Sequence, residues 1–128
     1  MRDIANNISV VQMVAPAVQA ATVTSDPVDL QGVNSAMVVI NTGAIASAGD
    51  FTAKLQESDT TTSGDFTDVA AARLQGTFPA SLPAASVLKV GYVGFKRYVR
   101  LVMTKNGGTS IAAGAVLVAG GASERPVS

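Results

Sequence analysis

The chain has 128 residues, 48% of them apolar and 5% aromatic, and its nine acidic and nine basic side chains leave no net charge. That length fits one domain able to bury a single core without staples, and the shortage of aromatics predicts a thin core of small side chains. There is no Cys and no His, which excludes disulfides, thiolate metal sites, a Cys nucleophile, the usual triad and the commonest transition-metal ligand.

Along the chain the signal is mostly strand. SVVQMVA (residues 9–15) and AVQAATVTS (17–25) are rich in β-branched residues and separate at Pro16. Proline cannot donate to a ladder, so it belongs at an edge or a break. Residues 1–16 therefore read either as an N-terminal arm packing on a neighbour or as an ordinary edge strand. SAMVVINTG (35–43) is apolar on both alternating faces, which predicts a strand covered on both sides. GAIASAG then reads as a loop of small residues. FTAKLQES (51–58) alternates, with Phe51, Ala53 and Leu55 on one face and Thr52, Lys54 and Gln56 on the other. That is a half-buried strand.

After an acidic loop, VAAARLQG predicts a short helical turn stopped at Gly76. TFPASLPAAS, with two prolines, reads as a loop. SVLKVGYVG (86–94) and FKRYVRLVMTK (95–105) predict paired strands around a tight turn near Gly94. NGG (106–108) is the strongest turn signal in the chain. SIAAGAVLVAGG (110–121) is a final strand, and residues 122–128 form a flexible polar tail. Seven or eight short strands with turns between them predict an all-β fold. The expected architecture is an antiparallel, jelly-roll-like sandwich or a barrel, in one domain spanning residues 17–121.

Charge is unevenly distributed. Residues 1–68 hold eight acids against two bases, and residues 69–128 hold seven bases against one acid. The halves can pair within one fold, or an acidic face can meet a basic face on another copy. No apolar run approaches the ~20 residues of a membrane helix, and the start lacks a signal-type apolar stretch and cleavage site. No membrane partner and no export by that route are expected.

Three stretches invite a chemical reading. ESDTTTSGDFTDV (57–69) has four acids in thirteen residues, and from Asp59 its spacing partly mimics a calcium loop, with Gly64 at the sixth position. Thr61 and Ser63 occupy middle ligand positions, however, and Ala70 stands where a bidentate Glu is required. A solvated hairpin tip explains the stretch better. Paired carboxylates could serve glycoside hydrolysis, but a Thr-rich tip holds no fixed separation and offers little aromatic surface for a sugar. KVGYVGFKRYVR (89–100) mixes basic and aromatic residues in a manner compatible with single-stranded nucleic acid. Alternation places only Lys96, Tyr98 and Arg100 on one face, with Arg97 on the other, and the chain has no net positive charge. Lys96, Arg97, Tyr98 and Arg100 are instead the candidate protein interface. GYVG is followed by no helix pattern, so it is no phosphate loop. No catalytic residue, metal ligand or cofactor site is assigned, and no enzyme or nucleic-acid partner is expected.

The segments SAMVVINTGAI, FTAKLQESDTTTSGDFTDV, VGYVGFKRYVRLVMT and GAVLV, within residues 30–120, resemble small structural proteins of tailed bacteriophages and related prophage particles. The start MRDIANNI is similar too, and KLQESD, FTDV and GYVGFKRYVR are the most characteristic pieces. The resemblance implies a structural virion protein, foremost a capsid decoration or cement protein that stabilises the head. It would bind the major capsid protein, form a homo-oligomer (dimer or trimer) and sit on the capsid surface of a virion assembled in the bacterial cytoplasm. A head–tail or tail component, or a host-surface or carbohydrate-binding sandwich, is the alternative. The resemblance carries over no catalytic or ligand residues.

Overall fold

The computed structural model of the chain describes residues 5–6, 8–31 and 35–120. Its strands are β1 (Ile8–Gln19), β2 (Val23–Thr24), β3 (Val28–Asp29), β4 (Ser35–Ala46), β5 (Asp50–Ser58), β6 (Thr67–Asp68), β7 (Leu74–Gln75), β8 (Val87–Tyr92), β9 (Tyr98–Gly107) and β10 (Ser110–Gly120). One sheet runs β1-β10-β4-β8-β7 and the other β2-β9-β5-β6, with β3 also bonded to β9. Every pairing is antiparallel. The two sheets are open and share one core, so the fold is an all-β sandwich and not a barrel.

Alternation dictates what enters that core. From the β9 sheet, Phe51, Leu55, Leu101 and Met103 point inward and are fully buried. They meet Val38, Ile40, Ile111 and Leu117 of the β10 sheet in one hydrophobic cluster. The core is thus less restricted to small residues than composition suggests, although β10 contributes Ala113, Ala115 and Ala119. On β5 the outward Thr52, Lys54 and Gln56 are half-exposed, as the alternation predicts.

Four local expectations need revision. β1 runs unbroken through Pro16, because two register shifts, between Gln12 and Val14 and between Val14 and Ala17, absorb the missing donor in an edge strand. β4 extends into the small-residue segment as far as Ala46, where Ile45 and Ala46 pair with Ile111 and Ser110. β4 is buried on one side only, with Met37 and Val39 half-exposed on the other. Finally, the strands on either side of Gly94 do not pair: β8 joins β4 and β9 joins β5. The chain crosses between sheets there because Val90 and Tyr92 enter the core from one side and Val99 and Leu101 from the other.

The turn falls later than expected, at Gly108–Thr109, because β9 takes in Asn106 and Gly107 of the NGG segment, and it too is a corner between sheets and not a hairpin. Gly108 has φ +71°, and a Cβ on it would lie 2.1 Å from the Ala48 carbonyl oxygen. A Cβ on Gly49 would lie 2.2 Å from the carbonyl oxygen of Ser110. The β4–β5 and β9–β10 corners therefore touch backbone to backbone, which only glycine permits. The helical turn read in VAAARLQG is a 3-10 turn at Ala71–Arg73, leading into β7 and ending at Gly76 with φ +112°. Residues 8–16 of the N-terminal segment belong to β1; residues 1–4 and 7, and the tail at 122–128, lie outside the described residues.

Candidate interaction surface

The four candidate residues gather near one end of the sandwich, where β9 begins. Arg97 precedes β9 and turns outward instead of following the strand alternation into the core. Its Nε and Nη2 donate to the two carboxylate oxygens of Asp29 at 3.0 and 2.9 Å. This fork-on-carboxylate geometry holds the Asp29 carboxyl below its usual range, helped by the Gln31 backbone N–H. Arg97 also lies 5.0 Å from the centre of the Tyr98 ring. Lys96 Nζ donates to Asp59 at 3.0 Å. Arg100 sits one step along the outer face of β9, donates to Gln56 at 2.8 Å and lies 4.3 Å from the Phe66 ring centre.

Lys96 and Arg97 line a shallow depression of about 340 Å³ together with Leu30, Asp59, Tyr92 and Phe95. Phe95 is 70% exposed, and Arg73 lies 4.4 Å from its ring centre. Asp29 and Asp59 come from the acidic half of the sequence, and Arg97 and Lys96 from the basic half. The uneven charge therefore pairs at this end within one chain, as the first of the two charge readings expected.

The acidic stretch forms the hairpin tip between β5 and β6, where Gln56 and Glu57 pair with Asp68 and Thr67. Its four carboxylates have separate partners. Glu57 accepts from the Tyr92 hydroxyl at 2.9 Å, and Asp65 from the Thr60 hydroxyl at 2.7 Å. Asp59 pairs with Lys96, and Asp68 with Lys54 at 3.3 Å. Among the described residues, no group of three or more acids could hold a metal ion.

A second surface feature is one that the charged motifs do not reveal. In the β10 sheet, the residues alternating with the buried Val38, Val90 and Leu117 face outward. The register aligns Val39 with Val116 and with Lys89, and Val118 with Val10 and Met37. Val10, Val18 and Val87 are 58%, 68% and 68% exposed. A shallow, mainly apolar trough of about 660 Å³ crosses this face over Val18, Val39, Val87, Ala112 and Val116. Lys89 is the one charged residue among these aligned positions. The opposite face of the sandwich carries Lys54, Gln56, Tyr98 and Arg100 in register on β5 and β9. The signal was the apolar character of both alternating faces, read in β4 as cover on both sides and not read in β10. It marks a second apolar surface that the chain leaves open, and not a strand covered twice.

No protein-family model and no curated protein matches this sequence. Among solved structures, the fold is similar to the SPBc2 prophage-derived protein YomS, with a TM-score of 0.55 and 9% identity over 92% of this chain and 98% of that one. A structure of infectious bursal disease virus, Gx strain, aligns with a TM-score of 0.45 and 14% identity over 93% of this chain and 33% of that one.

Proposed function

We propose that this chain is a structural protein of a tailed-phage virion, a head decoration protein that binds the major capsid protein and stabilises the shell. The observation that carries the reading is the contrast between the two faces of the sandwich. One is polar and laced with in-chain hydrogen bonds, and the other is broad, apolar and nearly uncharged. A surface of that kind marks a protein contact. The fold shared with a prophage-derived protein supports the phage setting. Because Lys96, Arg97 and Arg100 already have partners in the chain, the apolar face is assigned as the main contact. Repetition on a symmetric shell would let modest contacts suffice.

The test is cryo-electron microscopy of the particle, with wild-type chain and a Val39→Glu/Val116→Lys variant, in which the new carboxylate lies opposite both the new lysine and Lys89. Wild type should cover the head in many copies. The variant, altered only on the outer face, should fold with stability within about 0.5 kcal/mol of wild type and leave the head bare. Copies confined to one vertex or to the tail would sink the decoration reading and leave a head–tail or tail component. The exposed Phe95 ring favours a second reading, a glycan-binding sandwich. It predicts that Phe95→Ala abolishes binding to host-surface glycans.

A further inference from the structure

An edge strand carries a row of backbone N–H and C=O groups that its own sheet does not use. Three of the four edges here are covered in pieces. The outer edge of β9 takes β2 and β3, and between them the Ser25 N–H donates to the Leu101 carbonyl at 2.8 Å while the Ser25 hydroxyl accepts from the Leu101 N–H at 2.8 Å. The outer edge of β5 takes β6, then the N–H groups of Val69 and Leu82. β8 is covered by β7 at its Gly91–Tyr92 end.

The fourth edge is β1. It is 12 residues long, whereas β2, β3, β6 and β7 have 2 each. It contains no ionisable side chain. Among the described residues, its one ladder partner is β10. Proteins block edge pairing with short strands, charges, prolines or bulges. β1 has such devices only from Gln12 onward, where both register shifts and Pro16 fall. Residues 8–12 pair regularly with β10, from Ile8 opposite Gly120 to Gln12 opposite Val116.

We propose that residues 8–12 form a self-complementary edge, occupied by the same edge of a second copy running antiparallel across a two-fold axis. The two β10 sheets would then join into one sheet. Self-pairing of ISVVQ centred on Val10 sets Val10 against Val10, Ser9 against Val11 and Ile8 against Gln12. No like charges meet, and an apolar β-branched pair lies on the axis. A charged foreign strand would find no counter-charge on this edge, which argues for the second copy. The axis runs perpendicular to the sheet, so both apolar faces end on the same side. The pairing does not rest on the head-surface reading, because it operates in solution without a capsid.

Sedimentation and disulfide trapping of the full chain test it. Wild type at micromolar concentration should run at twice the 12.9 kDa chain mass, and Val10→Lys should weaken association at least tenfold with an unchanged circular dichroism spectrum. The chain has no Cys, so single Cys variants report cleanly. Facing Cα atoms about 4.5–5.5 Å apart suit a disulfide. Val10→Cys should therefore cross-link on oxidation, while Val18→Cys, which is exposed but beyond the bulges, should not. If Val10→Lys fails to fold, the trapping pair decides alone. A wild-type monomer overturns the proposal, as does a dimer trapped by Val18→Cys and not by Val10→Cys. Capture of the Val10→Cys variant only by a different protein also overturns it.

Discussion

Tyr92 joins three parts of the chain that are far apart in sequence. Its hydroxyl donates to Glu57 and accepts from the Lys96 backbone N–H at 3.2 Å. Burial, reinforced by the neighbouring Glu57 carboxylate, pushes its pKa up to about 12. The unfolded chain releases that proton near pH ~10. The stabilisation from keeping Tyr92 neutral is thus complete below pH ~10 and is lost as pH rises towards 12. Tyr92→Phe should cost about 1 kcal/mol at neutral pH and remove part of the alkaline decline. Urea midpoints measured from neutral to alkaline pH check this, and parallel curves for the two proteins would contradict it. Asp29 has the opposite sign. Arg97 depresses its pKa, so its contribution is present above pH ~4 and fades as pH falls below. Asp29→Asn should flatten the acid limb of the same profile. In the core, Phe51 is fully buried, and Phe51→Ala should cost about 3–5 kcal/mol, read as a lower denaturation midpoint.

At the scale of elements, the two corners at Gly49 and Gly108 fix where the chain changes sheets. Alanine at either position forces two backbones apart, and at Gly108 it also meets a positive φ. Gly108→Ala should therefore destabilise by about 1–3 kcal/mol or more, while Gly64→Ala, with open space around it, should change little. A shared midpoint for wild type and Gly108→Ala would refute the corner's role. The strands themselves were legible in the sequence because period-two alternation is local: Phe51, Ala53 and Leu55 declare their face without reference to any partner. Which strands pair was not legible. The chain near Gly94 and at NGG carries ordinary turn chemistry, and whether a turn closes a hairpin or crosses to the facing sheet depends on a core that no local pattern encodes. The candidate surface was half legible for a related reason. Charged residues such as Arg97 announce themselves, but an open apolar face has the same composition as a covered one.

Taken whole, the molecule divides its roles between its faces: ion pairs and side-chain hydrogen bonds at the β9 sheet and its basic end, bare apolar area on the β10 sheet. Association through neutral edges and faces should respond weakly to salt. The dimer constant is expected to shift less than about threefold between about 0.05 and 0.5 M NaCl, because screening acts on charges that are already paired internally. A steep fall with salt would return the contact to the acidic and basic halves. The register of β1 on β10 carries a further implication, for how the molecule comes into being. Ile8 lies beside Gly120, so the earliest strand can dock only on the latest. Pairings of such long sequence separation form slowly. β10 also lies between β1 and β4, so until the ribosome has delivered it the larger sheet is two separate pieces. The apolar face has no existence before then, and a chain cut short within β10 would lack the surface proposed for contact.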